Sequence, residues 1–252
     1  MLSLQSYGNA TLKLYENGYI PIPIIKNWSS IKNDYAQIEK LSLEYPNAGV
    51  GVLLNDLIVF DIDILDDKQS LLIRDIIIRE LGDTIERIGK FPKRALFYKR
   101  SGDEFRKKST KIFNLEKGKA QLEVLASGTQ CIIFGTHPET KQSYQWIDES
   151  PLEVHSGDLP RVTLKQVKNI ITQSETLLLN YVVQKEVKIS TIKTSINEHK
   201  REEGIKDIPL VRSALSYIDP EDYNTWVNIG HALKKLLKEM GLKSLMIGQN
   251  IK

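Results

Sequence analysis

The chain predicts a mixed α/β domain of the α+β kind, followed by a linker and a small C-terminal helical module. Three observations carry that prediction. Short β-prone runs at 49–54, 57–63, 94–99, 120–125 and 130–134 interleave with segments of helical period. Gly, Asn, Asp and Pro punctuate the joins, as turns require. From Gln184 to Lys206 the large apolar residues give way to Lys, Glu, Ser, Thr and Asn, the composition of a linker.

The composition sets outer bounds. Of 252 residues, 41% are apolar and 27% charged, the make-up of a globular protein rather than a disordered chain. No run reaches the roughly 18 apolar residues of a membrane span; the longest candidate, 50–65, is broken by Asn55, Asp56, Asp61 and Asp63. Met1 to Ser6 lacks a basic stretch ahead of an apolar core, so a secretory leader is not expected. Cys131 stands alone, which excludes an internal disulfide and a cysteine zinc cluster. These readings predict a cytoplasmic protein with no membrane partner. The net charge of +3 is too small to signal nucleic acid, so a basic footprint has to come from clustering.

The elements follow in order. Residues 10–17 read as a short helix stopped at Gly18, and the proline-spaced run 19–24 as an extended or edge strand. Residues 38–45 suit a helix closed by Pro46-Asn47. The runs 49–54 and 57–63 flank Asn55-Asp56 and read as a hairpin, its second strand apolar on both faces at its start. A broad apolar face marks 67–81 as a helix ended by Gly82. Strands are expected at 94–99, 120–125 and 130–134, with Ser127-Gly128-Thr129 turning between the last two, and a short one at 142–146. Residues 163–183 are mostly helical in pattern, and 208–237 is amphipathic again beyond the linker.

Four places could carry chemistry. Asp61 and Asp63 close the most apolar strand, on one face and about 7 Å apart. Two such carboxylates repel unless a cation or proton lies between them, and hard oxygens on a rigid strand suit Mg²⁺ or Mn²⁺ bound with phosphates; the plain alternative is a strand end reaching water. Glu123 lies mid-strand, where an unpaired acid is costly, so it either faces solvent or joins the other acids as a ligand. His137 follows a strand and serves either a phosphate or a turn. Arg87, Lys90, Lys93 and Arg94 crowd a Gly- and Pro-containing loop, extended by Arg100, Arg106, Lys107, Lys108 and Lys111. That loop is a phosphate-binding device or a solvated surface.

In this order the pieces resemble the N-terminal domain of bifunctional DNA primase-polymerases, the Prim-Pol branch of the archaeo-eukaryotic primases, in its phage and mobile-element form. The resemblance rests on Gly18-Tyr19-Ile20-Pro21-Ile22-Pro23, Gly49-Val50-Gly51-Val52, Phe60-Asp61-Ile62-Asp63-Ile64-Leu65, the stretch Arg87 to Arg100, Glu123-Val124-Leu125 with Gly128-Thr129-Gln130, and Phe134-Gly135-Thr136-His137-Pro138-Glu139-Thr140 closing at Tyr144-Gln145-Trp146. It implies an RRM-like catalytic domain at 8–160, a helical extension at 161–183, the linker at 184–206 and a partial primase C-terminal helical domain at 207–252. It further implies that Asp61, Asp63 and Glu123 bind two divalent cations, Mg²⁺ or Mn²⁺. Arg87, Lys90, Lys93 and Arg94 would hold the triphosphate, and His137 would lie by the incoming nucleotide. The implied partners are a single-stranded DNA template, nucleotides and a separately encoded replicative helicase.

Two departures from the family bear on that reading. Many members carry a His in the strand ahead of the third acid, where this chain has Arg94-Ala95-Leu96-Phe97, so His137 or the basic loop would take that part. Relatives also continue past Gly241-Leu242-Lys243 with an aromatic, acid-rich stretch containing Trp-Ser. One added A in suitable codons for 243–252 yields Lys-Ile-Phe-Asp-Asp-Trp-Ser-Lys-Tyr-Lys, which predicts a frameshift near Lys243 and a truncated protein. The alternative function is then a catalytically silent nucleic-acid-binding remnant of a longer primase-helicase. A DxD-type phosphatase ranks last, because Leu65 stands where such enzymes need Thr or Val.

Overall fold

A computed structural model of the chain describes residues 6–185 other than 27 and 29–33. The linker expected at 184–206 lies outside the described residues except for 184 and 185, and the module at 207–252, with the frameshift expectation near Lys243, lies wholly outside them. The chain divides into two units at Val182, and the fold below is that of the first. Among the described residues no helix is long and apolar enough to cross a membrane.

The order of elements is α1 (Tyr7–Glu16), β1 (Pro21–Pro23), α2 (Tyr35–Glu44), β2 (Val50–Leu53), β3 (Leu57–Asp63), α3 (Asp67–Leu81), β4 (Glu86–Ile88), β5 (Arg94–Ser101), β6 (Lys108–Ser109), β7 (Phe113–Leu115), β8 (Gly118–Leu125), β9 (Gln130–Phe134), β10 (Gln145–Ile147) and β11 (Arg161–Thr163). A further helix, α4, occupies 164–185. The fold is thus mixed α/β, with most strand pairs antiparallel. The large sheet runs β10-β4-β5-β3-β8-β6, with β11 beside β5 and β7 beside β8. A small sheet runs β1-β2-β9.

Strand β3 is the middle of the large sheet, and its alternation decides what covers each face. Ile58, Phe60 and Ile62 point to one side and join Ile73 and Ile77 of α3 and Val167, Ile170 and Leu178 of α4 in one core. Leu57 and Val59 point to the other side and join Val50 and Val52 of β2, Ile133 of β9 and Leu14 of α1 in a second core. Both faces are dry over most of the strand, which is why the sequence there is continuously apolar. Helix α3 starts cleanly, because the Asp66 side chain accepts from Gln69 N at 3.1 Å.

The expected hairpin at 49–63 does not form. Residues 50–53 pair with β1 and β9, whereas 57–63 pair with β5 and β8, so Asn55-Asp56 carries the chain from the small sheet to the large one. The 127–129 turn makes the reverse crossing from β8 to β9. The crossings lie together, with Leu54 N donating to Thr129 O at 3.0 Å. Strands β4, β6, β7 and β11 have only two or three residues each, too few for a periodic signal. The start of the expected helical extension at 161–163 is strand, paired parallel to β5.

Because Phe60 is fully buried in the strand that both layers share, Phe60→Ala should cost about 3–5 kcal/mol. Urea denaturation of the variant measures this as a lowered midpoint.

Candidate active site

On the face of β3 that carries Val59, cover by the small sheet ends at Asp61. Period-two alternation puts Asp61 and Asp63 on that face. Register adds the rest: Asp61 lies opposite Glu123 of β8 on one side and Ala95 of β5 on the other, and Ala95 lies opposite Arg87 of β4. Directly opposed residues share a face, so Arg87, Ala95, Asp61 and Glu123 form one row across four strands. Ala95 is small, which leaves Arg87 and Asp61 in electrostatic reach of each other.

The site is a cleft of about 210 Å³ lined by Asp61, Asp63, Arg87, Gly89, Lys90, Lys93, Arg94, His137 and Tyr144. Seven of the eight residues that the family resemblance implies for the site therefore meet in one place, and Glu123 adjoins it through the row. Burial raises the affinity of Asp61 for a proton; Arg87 opposes the shift, Asp63 and Glu123 reinforce it, and Lys93 opposes it. Asp63 is half-exposed and pairs with Lys93. Glu123 Oε1 takes Lys107 Nζ at 2.6 Å. With those lysines in place, no group of three His, Cys, Asp or Glu side chains among the described residues stands ready around one ion. The carboxylate oxygens of the row are nevertheless the hard donors that Mg²⁺ or Mn²⁺ takes.

The opposite wall is basic and aromatic. Arg87 lies over the Tyr144 ring, Cζ 4.5 Å from the centroid, and its Nη1 donates to Ile132 O of β9, tying the two sheets together. His137 Nδ1 accepts from Glu139 N at 3.2 Å and Thr140 N at 3.3 Å. A neutral ring so engaged carries its proton on Nε2, which makes His137 a donor. Lys90 pairs with Glu139 and holds that carboxyl below its ordinary range. At Gly89 a Cβ would meet Tyr144 Cε1 at 2.5 Å and His137 Cδ2 at 2.9 Å, so only glycine lets the loop approach those rings.

Arg94 has a second set of partners. It borders the cleft, but register places it opposite Ile62 on the helix-covered face. There its Nη1 meets Glu86 Oε1 at 2.5 Å, while Arg74 Nε of α3 meets Glu86 Oε2 at 2.6 Å. Glu86 and Arg94 are buried, and the pair anchors the basic loop from the helix side. Nothing in the spacing marked Tyr144, Glu139 or Glu86. Gly89, inside the basic loop, was the one further residue whose type hinted at a close approach.

A family model for the N-terminal domain of bifunctional DNA primase/polymerases, Prim-Pol, matches residues 8–161, more than half of the chain. The chain belongs to that family. No curated protein matches it.

The raised Asp61 carboxyl implies a cost to folding at neutral pH. A folded-state value above the unfolded one means that the charged form is disfavoured by folding. The cost is absent below the unfolded value, grows as pH rises through the folded value and is complete above it. Asp61→Asn should therefore raise Tm of the metal-free protein by a few degrees at pH 7, with the gain vanishing near pH 3, as read by thermal melts across pH.

Proposed function

We propose that this Prim-Pol chain is a template-directed nucleotidyltransferase, joining the α-phosphate of a nucleoside triphosphate to a primer 3′-hydroxyl with release of pyrophosphate. The observation that carries the reading is the cleft, with carboxylates on a rigid sheet facing a cationic loop across a space the size of a small ligand. Membership of a family named for DNA primase and polymerase activity supports it. The setting we propose is phage or mobile-element DNA replication.

The residues divide the work by position. Asp61 and Asp63, with Glu123 beside them in register, would hold two divalent cations, Mg²⁺ or Mn²⁺. The donor set suits them, since three hard-oxygen carboxylates share one face of the sheet, Asp61 directly opposite Glu123. When bound, such cations supply activation of the 3′-hydroxyl and neutralisation of charge at the α-phosphate. Lys93 and Lys107 balance the carboxylates in the metal-free protein. Lys93, Lys90 and Arg87 line the cleft and offer the triphosphate its counter-charge. His137 donates from Nε2 to a phosphate or sugar oxygen. Arg94 acts indirectly, through the Glu86 pair that holds the loop.

Primer extension on a single-stranded template with Mn²⁺ or Mg²⁺ tests the reading. Asp61→Ala and Asp63→Ala should each lower incorporation at least 10³-fold, on the order expected when transition-state charge stabilisation is removed, with folding retained. Lys93→Ala should chiefly raise KM for the nucleotide, by roughly 10-fold. Normal polymerisation by Asp61→Ala would refute the assignment; no incorporation by the wild type would favour the silent remnant.

A further inference from the structure

Phe91 is 61% exposed, an unusual cost for an aromatic ring in a loop that is otherwise firmly held. Its neighbour Pro92 is buried and accepts a 2.6 Å hydrogen bond from Ser70 Oγ of α3. Lys93 N closes a turn on Lys90 O at 2.9 Å. Arg94, three residues past the ring, is tied to buried Glu86 at 2.5 Å. With the backbone pinned on both sides, the exposure of the ring is built into the loop. Arg94 Cζ lies 5.9 Å from the ring centroid, so a guanidinium backs the ring while most of it stays open to solvent.

The surroundings select what such a ring would receive. Lys90 and Lys93 flank it and line the cleft, yet Phe91 itself lies outside the cleft lining. A triphosphate in the cleft has no use for an apolar surface at the mouth. A polynucleotide does, because cations follow its phosphates while an aromatic face takes a base. We propose that Phe91 is a stacking platform for one base of single-stranded DNA passing over the mouth of the cleft. The proposal deepens the nucleotidyl-transfer reading and rests on it for the choice of strand. A ring held in place before binding loses little freedom on stacking, which favours this use of a stiff loop.

The test is direct binding of a labelled oligo-dT and of an abasic oligonucleotide of equal length, by fluorescence anisotropy, without nucleotide or metal. Wild type, Phe91→Ala and Phe91→Trp are compared; an exposed position keeps all three folded. Phe91→Ala should bind oligo-dT about 5- to 100-fold more weakly, the span measured for loss of one aromatic–base stack. Its salt slope should match that of the wild type, because no phosphate contact is removed. On the abasic strand wild type and Phe91→Ala should bind alike. Phe91→Trp should keep affinity, and its added emission should be quenched by oligo-dT. Equal binding of oligo-dT by wild type and Phe91→Ala, an equal loss on the abasic strand, or an unquenched tryptophan would overturn the platform. The incorporation assay separates the two readings. A protein that does not polymerise but whose Phe91→Ala variant loses affinity only for the strand with bases keeps the platform and loses the polymerase; an active enzyme indifferent to Phe91 does the reverse.

Discussion

The burial of strand β3 on both faces, ended on one face at Asp61, is the constraint from which the site follows. Up to that residue the strand is sealed between α3 and α4 on one side and the small sheet on the other. Ile62 and Ile64 continue into the helix-side core, which fixes the strand to its end. Asp61 and Asp63 therefore emerge from a rigid base, and their positions are set by packing rather than by a mobile loop. Rigidity has an electrostatic price, since burial at this place, with Asp63 and Glu123 near, raises the proton affinity of Asp61. Arg87 and Lys93 oppose that rise, and Lys93 and Lys107 pair with Asp63 and Glu123.

The sheet also sorts the basic residues. Arg87 and Arg94 look equivalent in the sequence, but register turns them to opposite faces. Arg87 faces the cleft and the Tyr144 ring; Arg94 is buried beneath it with Glu86 and Arg74. A buried carboxylate with both oxygens engaged by guanidinium groups is tolerable, whereas the same acid with either partner removed is not. That network and the Ser70–Pro92 hydrogen bond hold the loop from the helix side, leaving Lys90 and Lys93 to line the cleft and Phe91 exposed. Stiffness on one side of the sheet thus becomes preorganisation on the other.

What the sequence disclosed divides along the same physical lines. Strand β3 and helix α3 were legible because a two-faced apolar run and a helical stripe are local patterns. The acids were legible because they interrupt such a run. The hairpin reading of 49–63 fails because a short polar turn between β-prone runs looks the same whether the strands pair or part for different sheets. Sheet membership depends on distant partners, β1 and β9 for one run and β5 and β8 for the other. The part played by Arg94 was hidden because it turns on register, and that of Tyr144 because its ring reaches Arg87 only through tertiary folding. The two-residue β6 carries no pattern at all, although it lies beside Glu123.

The central claim is that the acidic row is a divalent-cation site, and calorimetric titration of Mn²⁺ into wild type and Asp61→Asn tests it most directly. Mn²⁺ should bind the wild type with release of protons below neutral pH, since Asp61 holds a proton more readily than a free carboxyl does. That binding should be lost in Asp61→Asn. Equal Mn²⁺ affinity in the two proteins, or binding by the wild type without proton release at any pH, would contradict the claim.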